Sequence, residues 1–501
     1  MDISNWINRW AAFAPERPAL RYQGREISYA ALAGRIEKLA GALAELGIGP
    51  GDRVAQLGYN SPEIVDLLFA CARLGAIMVP LNWRLAGPEI AYILDDSEPK
   101  AVLAEPDFIA LLDELRKGRQ AAWIAYEGAD GWLDYRQLIK GAEAPPPPRA
   151  GGPIDAVLIV YTSGTTGRPK GAVLDQNAIF HNAVNGAAAF DLGSTDQVLT
   201  AIPMFHVGGL NIQTTPALHA GATVTILQKF DPAEMLATIA AERITLAIAV
   251  PAMLVALIGH PDWAGADLSS LRCLTSGSST VPDALIAAVL ARDVAMSQVY
   301  GSTETAPTVI VGLPSKDARV AGSCGHAALH CEARINDDEG NEVPAGRAGE
   351  IVVRGANIMR EYWRQPEATA EALRDGWFHT GDIGHRGPDG AFYVDDRKKD
   401  MIISGSENIY SAELEFVLAE CADLAESTVV ARPDERWGEV PVAVVVKLPD
   451  SEITKAEVLD LFADRLARYK HPKDVLFTDA LPRNAMGKVL KFEVREMLRK
   501  G

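Results

Sequence analysis

The chain is poor in the features that mark several protein classes. Its five cysteines, Cys71, Cys273, Cys324, Cys331 and Cys421, are an odd number without CxxC spacing in 501 residues. That excludes a disulfide framework and predicts free thiols in a reducing, cytoplasmic setting. Positive charge is also scarce. With 48 Lys and Arg against 66 Asp and Glu, the net charge is −18, the wrong sign for non-specific binding to nucleic acid or to an anionic membrane. Long apolar runs are missing too. The longest, Ile244 to Gly259, would span ~24 Å as a helix against a ~30 Å hydrocarbon core, and Pro251 interrupts it. This run predicts a buried strand followed by a helix. The opening Met1-Asp-Ile-Ser-Asn-Trp6 has no basic patch ahead of an apolar core, so no secretory leader is expected.

What is present suits a large globular protein. Hydrophobic residues make up 48% and charged residues 23%, enough to build an extensive core, and the length corresponds to about three lobes. Charge is unevenly spread. Ser451 to Gly501 holds eleven Lys/Arg against eight Asp/Glu, so the preceding residues carry −21.

The first ~140 residues alternate between helical and strand periods. Helical spacing runs over Tyr29–Leu46 and Glu63–Leu74, and strand patterns over Arg53–Leu57 and Ala76–Pro80. Such alternation predicts an α/β lobe with a largely parallel sheet. Ala144–Gly152, with four consecutive prolines, predicts a linker. Ala156–Tyr161 is a strand pattern that opens a second α/β lobe reaching to about Val311. Val320–Val394, with Asp-Glu-Gly and Pro-Asp-Gly turns, predicts an antiparallel or barrel-like piece. The charged run Asp395–Asp400 separates a final α+β unit. The domains expected are 1–396 and 397–501.

Cys324, His326, His330 and Cys331 fall within eight residues and raise the question of zinc. A strand over Cys331–Ile335 sends alternate side chains to opposite faces, so the four groups are not expected to converge.

The most informative segment is Tyr161-Thr-Ser-Gly-Thr-Thr-Gly-Arg-Pro-Lys-Gly171. Its glycines allow close backbone approach to an anion, and its hydroxyls and Lys170 offer donors and charge for phosphate oxygens. It is not a Walker A loop, which needs glycine before the lysine and a hydroxyl after it; here Pro169 precedes and Gly171 follows. Five more segments follow in order: Pro203-Met-Phe-His-Val-Gly-Gly209, Tyr300-Gly-Ser-Thr-Glu304, Gly376-Trp-Phe-His-Thr-Gly-Asp-Ile383, Asp396-Arg-Lys-Lys-Asp-Met-Ile-Ile-Ser-Gly405 and Pro482-Arg-Asn-Ala-Met-Gly-Lys488. Together the six resemble the motifs of the adenylate-forming superfamily, which includes acyl-CoA synthetases, peptide-synthetase adenylation domains and firefly luciferase. Arg468-Tyr-Lys-His-Pro-Lys473 and the segment around Lys488 are most similar to bacterial long-chain fatty acyl-CoA synthetases.

The resemblance implies a mixed α/β fold: two α/β lobes and a β-barrel-like subdomain, then a small mobile C-terminal domain. It implies an acid–thiol ligase that uses ATP, Mg²⁺ and CoA. Thr162, Ser163, Gly164, Thr165, Thr166, Gly167 and Lys170 would cradle the β- and γ-phosphates. Thr303 would meet the α-phosphate, and Glu304 would hold Mg²⁺. Ser278, Ser279 and Thr280, with Val299, Tyr300, Gly301 and Ser302, would surround adenine, and Asp382 and Arg397 would contact ribose. Lys488 would be the adenylation lysine and Lys399 the hinge. Ser404, Gly405, Ser406, Trp437, Tyr469, His471 and Lys473 would line the CoA path. His206, Gly208 and Gly277 would shape the acyl pocket.

The chain departs from the family pattern in places. Ser-Ser-Thr follows Gly277 where many relatives have Gly-Ala-Pro, and serines stand at 406 and 411 where Gly and Pro are frequent. Aryl-CoA ligases often carry an aromatic side chain at the position of Gly208. Glycine there leaves a channel open, pointing to medium- or long-chain fatty acids or arylalkanoic acids. Loading of a carrier protein, malonyl- or aryl-CoA synthesis, and a non-catalytic nucleotide binder are the alternatives. Lys170, Glu304, Asp382, Arg397 and Lys488 together weigh against the last. Small molecules are the expected partners, without nucleic acid or an integral membrane segment, and a homodimer is compatible with the sequence.

Overall fold

A computed structural model of the chain describes residues 2–142, 154–162, 169–278, 281–317, 323–397, 400–404, 407–434, 437–463, 465–466, 468–483 and 487–500. Contacts divide the chain into two compact units. One comprises Met1–Ala333 and Val353–Phe378, the other Arg334–Val352 and His379–Gly501.

The larger unit is built on two sheets. The first has nine strands, with a parallel centre running through Cys273–Gly277, Leu246–Ile248, Gln197–Thr200 and Thr223–Ile226. Ala295–Tyr300 pairs in parallel with Cys273–Gly277, so that Gly277 stands opposite Val299. The second has eight strands, including parallel Arg53–Leu57, Ile77–Leu81 and Ala101–Ala104. Its strands Ile77–Leu81 and Ala101–Ala104 read as unbroken apolar runs, as expected where both faces are covered. Val79, Leu81, Val102 and Ile159 are among its fully buried residues.

The local reasons are visible in the sequence. Helix Pro62–Leu74 begins with proline in its first turn and ends at Gly75 in a left-handed conformation, φ 68°, the usual proline-in, glycine-out asymmetry. Helix Tyr29–Glu45 is capped by Ser28, whose hydroxyl accepts from Ala31 N. The apolar run around Pro251 folds as strand Leu246–Ile248 and helix Pro251–Ile258, as its composition predicts. The Ala144–Gly152 linker lies outside the described residues.

The expected barrel-like piece is a five-stranded sheet of Cys331–Asn336, Gly349–Gly355, Trp377–Arg386, Leu373–Arg374 and Phe392–Arg397. The division between the two units runs through its first three strands. The sequence-based boundary at 396/397 lies within strand Phe392–Arg397, which pairs with Trp377–Arg386. The C-terminal part of the smaller unit has its own sheet, centred on the antiparallel pair Leu424–Asp434 and Gly438–Lys447. Helix Ser411–Ala419 contributes Leu414, Val417 and Leu418 to the core beside it.

Candidate functional site

In the larger unit, strand Ala156–Thr162 turns back antiparallel to Lys170–Asp175 and sets Thr162 opposite Lys170. The two flank the ends of the Ser/Thr/Gly segment. Ser163, Gly164, Thr165, Thr166 and Gly167 themselves lie outside the described residues. The Thr162 hydroxyl donates to the Lys170 carbonyl at 3.4 Å. Gly171 is required by packing, since a Cβ there would approach Ile159 Cγ2 to 2.7 Å.

A short strand, Glu361–Tyr362, pairs with Lys170–Asp175, Tyr362 opposite Ala172. The Tyr362 ring lies 5.2 Å from Lys170 Nζ, within cation–π range. Its hydroxyl donates to Glu304 Oε1 at 2.8 Å. Burial and the Glu304 charge hold this phenol well above its ordinary pKa, so it stays a donor. One side chain therefore ties Lys170 to Glu304, two groups 134 positions apart in the chain.

The Tyr300–Glu304 segment leaves the end of strand Ala295–Tyr300 and enters a 3₁₀ turn at Thr303–Thr305. Gly301 admits no other residue without movement, because a Cβ would sit 1.6 Å from the Pro307 carbonyl oxygen. Ser302 N donates to Thr305 Oγ1 at 2.9 Å. Thr303 is buried, and the Glu304 carbonyl accepts from Met359 N at 2.7 Å. Asn357, fully buried, clamps the turn by donating from Nδ2 to the carbonyls of Thr305 and Thr308, at 2.7 and 3.3 Å. Its Oδ1 lies 3.0 Å from Cys331 Sγ, which also receives Asn185 Nδ2 at 3.2 Å. Burial pushes this thiol up to about 11, which keeps it protonated and unreactive. Cys331 is thus engaged by the turn's supports, while His326 pairs on a separate strand with Val311.

Gly277 meets the same constraint as Gly301: a Cβ would lie 2.4 Å from the Val299 carbonyl oxygen. Ser278 follows with φ 70°, a left-handed position unusual for serine. Ser279 and Thr280 are outside the described residues.

His206 precedes helix Val207–Asn211, beside Phe205, which packs edge-on to Trp83. Burial, reinforced by the Arg84 charge, lowers its pKa to about 4, so the imidazole is neutral at physiological pH. The neighbouring glycines differ. At Gly209 a Cβ would collide with the Pro203 carbonyl at 2.4 Å, whereas at Gly208 it would only touch Ile202 Cγ2 and Ile212 Cδ1, at 3.8 and 3.9 Å. Gly208 therefore has room for a Cβ, in ordinary contact with two apolar side chains.

Asp382, Arg397 and Lys488 belong to the smaller unit. Asp382 and Arg397 are paired across antiparallel strands. The Asp382 end is braced by Thr380, whose hydroxyl accepts from Asp382 N at 3.1 Å and donates to the Ile351 carbonyl at 2.7 Å. Lys399, Gly405 and Ser406 lie outside the described residues, while Ser404 ends strand Ile402–Ser404, its side chain buried. Lys488 is exposed just after Gly487, φ 77°. Arg483 closes this turn onto the Gly487 carbonyl and bonds Glu426 at 3.0 Å. Trp437 is 44% exposed. His471 is turned inward onto the Leu466 carbonyl at 2.8 Å. Tyr469 lies in a short 3₁₀ turn, and Lys473 is exposed at the start of strand Asp474–Phe477.

The model of AMP-binding enzymes matches residues 7–363, and that of the AMP-binding enzyme C-terminal domain matches 413–488. The chain belongs to the AMP-binding enzyme family. Within that family it is an acid–thiol ligase of the AMP-forming type. It is 50% identical to an indoleacetate–CoA ligase of Aromatoleum aromaticum over 99% of this chain and 98% of that one. Identity to a long-chain-fatty-acid–CoA ligase of Mycobacterium tuberculosis is 37%, over 94% and 93%. The fold matches ATP-bound MatB from Rhodopseudomonas palustris with a TM-score of 0.90 at 32% identity, covering 100% of this chain and 99% of that one.

Of the residues that sequence motifs single out, the larger unit brings Thr162, Lys170 and the Thr303–Glu304 turn together. Tyr362 and Asn357 were missed. The only sequence signal for them is their position in a short stretch just before the Gly376 motif, and neither residue type announces its partner.

Proposed function

We propose that this family member is an ATP-dependent acyl-CoA ligase for arylalkanoic acids, acting in the cytoplasm. The observation that carries the reading is the acyl-pocket pair: a neutral His206 and, two residues on, an open position at Gly208 between Ile202 and Ile212. The full-length 50% identity to an indoleacetate–CoA ligase supports an aryl acid over a long aliphatic one.

In this reading Lys170 and Thr162 hold the outer phosphates and Thr303 the α-phosphate. Glu304 offers an oxygen donor of the kind Mg²⁺ takes alongside phosphate oxygens. That donor set fits the ion, which would supply charge neutralisation of the triphosphate. A carboxylate oxygen of the acid bonds to the α-phosphorus as the bond to pyrophosphate breaks. Lys488 offsets the negative charge that gathers there. CoA then attacks the acyl carbon as a thiolate, forming the thioester and releasing AMP. Neutral His206 neither neutralises nor repels the acid, so it serves as a wall and hydrogen-bonding group rather than a counter-ion. Lys488 would leave between the half-reactions by rotation of 397–501 about Lys399, with Asp382 and Arg397 on the ribose. Ser404, Trp437 and Lys473 would serve CoA.

A panel of arylacetic, arylpropenoic, fatty and dicarboxylic acids, assayed for AMP release with and without CoA, tests the reading. Arylalkanoic acids should give the highest CoA-dependent AMP release. A best response to fatty acids or malonate, or release that needs a carrier protein instead of CoA, would replace it.

A further inference from the structure

Buried polar groups in folded proteins are nearly always paired, so an orphan at a functional site asks for an explanation. Three stand close together in sequence to the acyl-pocket positions: Gln213 Oε1, Asn211 Nδ2 and Ser276 Oγ have no hydrogen-bond partner among the described residues. Gln213 is the most constrained. It is 1% exposed, and its Nε2 donates to Thr275 Oγ1 at 3.1 Å. Thr275 is fully buried, and its hydroxyl lies 2.9 Å from Ser297 Oγ on the adjoining strand. Cys273 Sγ closes the group, 3.5 Å from Ser297 Oγ. The amide is thus anchored through its nitrogen, and its oxygen is left as a spare acceptor.

Position gives the spare acceptor a meaning. Along strand Cys273–Gly277, Thr275 shares a face with Gly277 and lies two residues deeper, about 7 Å. Gln213 follows directly after Ile212, which flanks Gly208, in the segment that begins at His206. In the arylalkanoate reading, where His206, Gly208 and Gly277 shape the acyl pocket, the Thr275 hydroxyl and the Gln213 amide bonded to it lie about one ring-length beyond Gly277 on the same strand face. A long alkyl chain would strand those polar groups against methylenes. A flat ring carrying a hydrogen-bond donor would satisfy them.

We propose that Gln213 is a specificity-determining residue whose amide oxygen accepts a hydrogen bond from a ring N–H or O–H of an aryl acid. The inference rests on the arylalkanoate reading above. A site built around a buried acceptor rejects the isostere that lacks the donor, because the acceptor is then left unpaired. Non-polar walls alone would not tell the two apart.

The test compares indole-3-acetate with benzothiophene-3-acetate, a near-isostere in which sulfur replaces N–H, in the full-length enzyme and in Gln213→Met. The wild type should favour the indole by about tenfold or more in kcat/KM. Gln213→Met should bring the ratio to within about twofold while keeping benzothiophene-3-acetate turnover within about threefold, which also shows that the variant is folded. An unchanged ratio, or equal loss with both acids, overturns the assignment of Gln213 and leaves the arylalkanoate reading in place. Failure of both aryl acids to drive CoA-dependent AMP release in the wild type overturns both. If Gln213→Met does not fold, Thr275→Val, which removes the hydroxyl that anchors the amide, is read by the same ratio: a fall supports the role and no change refutes it.

Discussion

At the scale of single residues, charge and protonation carry the sharpest consequences. Replacing Lys488 by alanine is expected to slow adenylation by at least ~10²-fold, equivalent to ~2.7 kcal/mol, while thiolysis of a supplied acyl adenylate proceeds. Separate assays of the two half-reactions check this, and equal losses in both would remove the lysine from its assigned step. Tyr362→Phe keeps the ring over Lys170 but deletes the donor to Glu304. The KM for MgATP should rise roughly three- to tenfold, consistent with the ~0.5–1.5 kcal/mol net contribution of a typical hydrogen bond, with a smaller change in kcat. His206 makes a prediction about pH. Its folded pKa of about 4 lies below the ordinary 6.5, so the unfolded chain takes up the proton first. Its contribution to stability is complete above about pH 6.5 and is lost as pH falls toward 4, by up to about 3 kcal/mol. Unfolding midpoints measured from pH 7 to 4 should fall less steeply for His206→Asn than for the wild type, and parallel curves would contradict the assignment.

At the scale of elements, the helix after His206 contains a built-in comparison. Gly208 and Gly209 are adjacent helical glycines with opposite surroundings. Gly208→Ala should be neutral or stabilising by up to about 1 kcal/mol, the usual helical gain over glycine. Gly209→Ala should cost about 2 kcal/mol or more, because backbone carbonyl oxygen cannot move aside cheaply. Thermal denaturation of the two variants distinguishes them. The same helix shows what the sequence could and could not tell. Helices of the first 140 residues were legible because a 3.6-residue period is local, as in Tyr29–Glu45, and strands such as Arg53–Leu57 because a short β-compatible run is local too. The Pro203–Gly209 motif likewise located His206. The supports of the Thr303–Thr305 turn were not legible: Asn357 and Asn185 reach Cys331 across 26 and 146 positions, and no period encodes such pairs. Gln213 was hidden for a related reason, as one amide between an apolar helix and a Thr-rich one.

At the scale of the molecule, the uneven charge acquires a use. An acidic protein that handles two polyanions gains from keeping its cations where those ligands sit, and the +3 tail carries Lys488. Raising ionic strength from about 0.05 to 0.5 M, which shortens the screening length from over 10 Å to a few ångströms, should raise the KM for CoA several-fold and leave the KM for the acid little changed. Equal responses would show that local charge does not guide CoA.

The interleaving of the two units bears on the order in which the protein can be made. Tyr362 and its strand complete the sheet beside Lys170–Asp175, yet they emerge from the ribosome some 190 residues later, after the first segment of the other unit, Arg334–Val352. Until then the strand that carries Lys170 is an open edge, the kind of unpaired backbone that invites wrong partners. During synthesis, the lysine's strand is therefore finished by one of the last pieces of the large unit to appear.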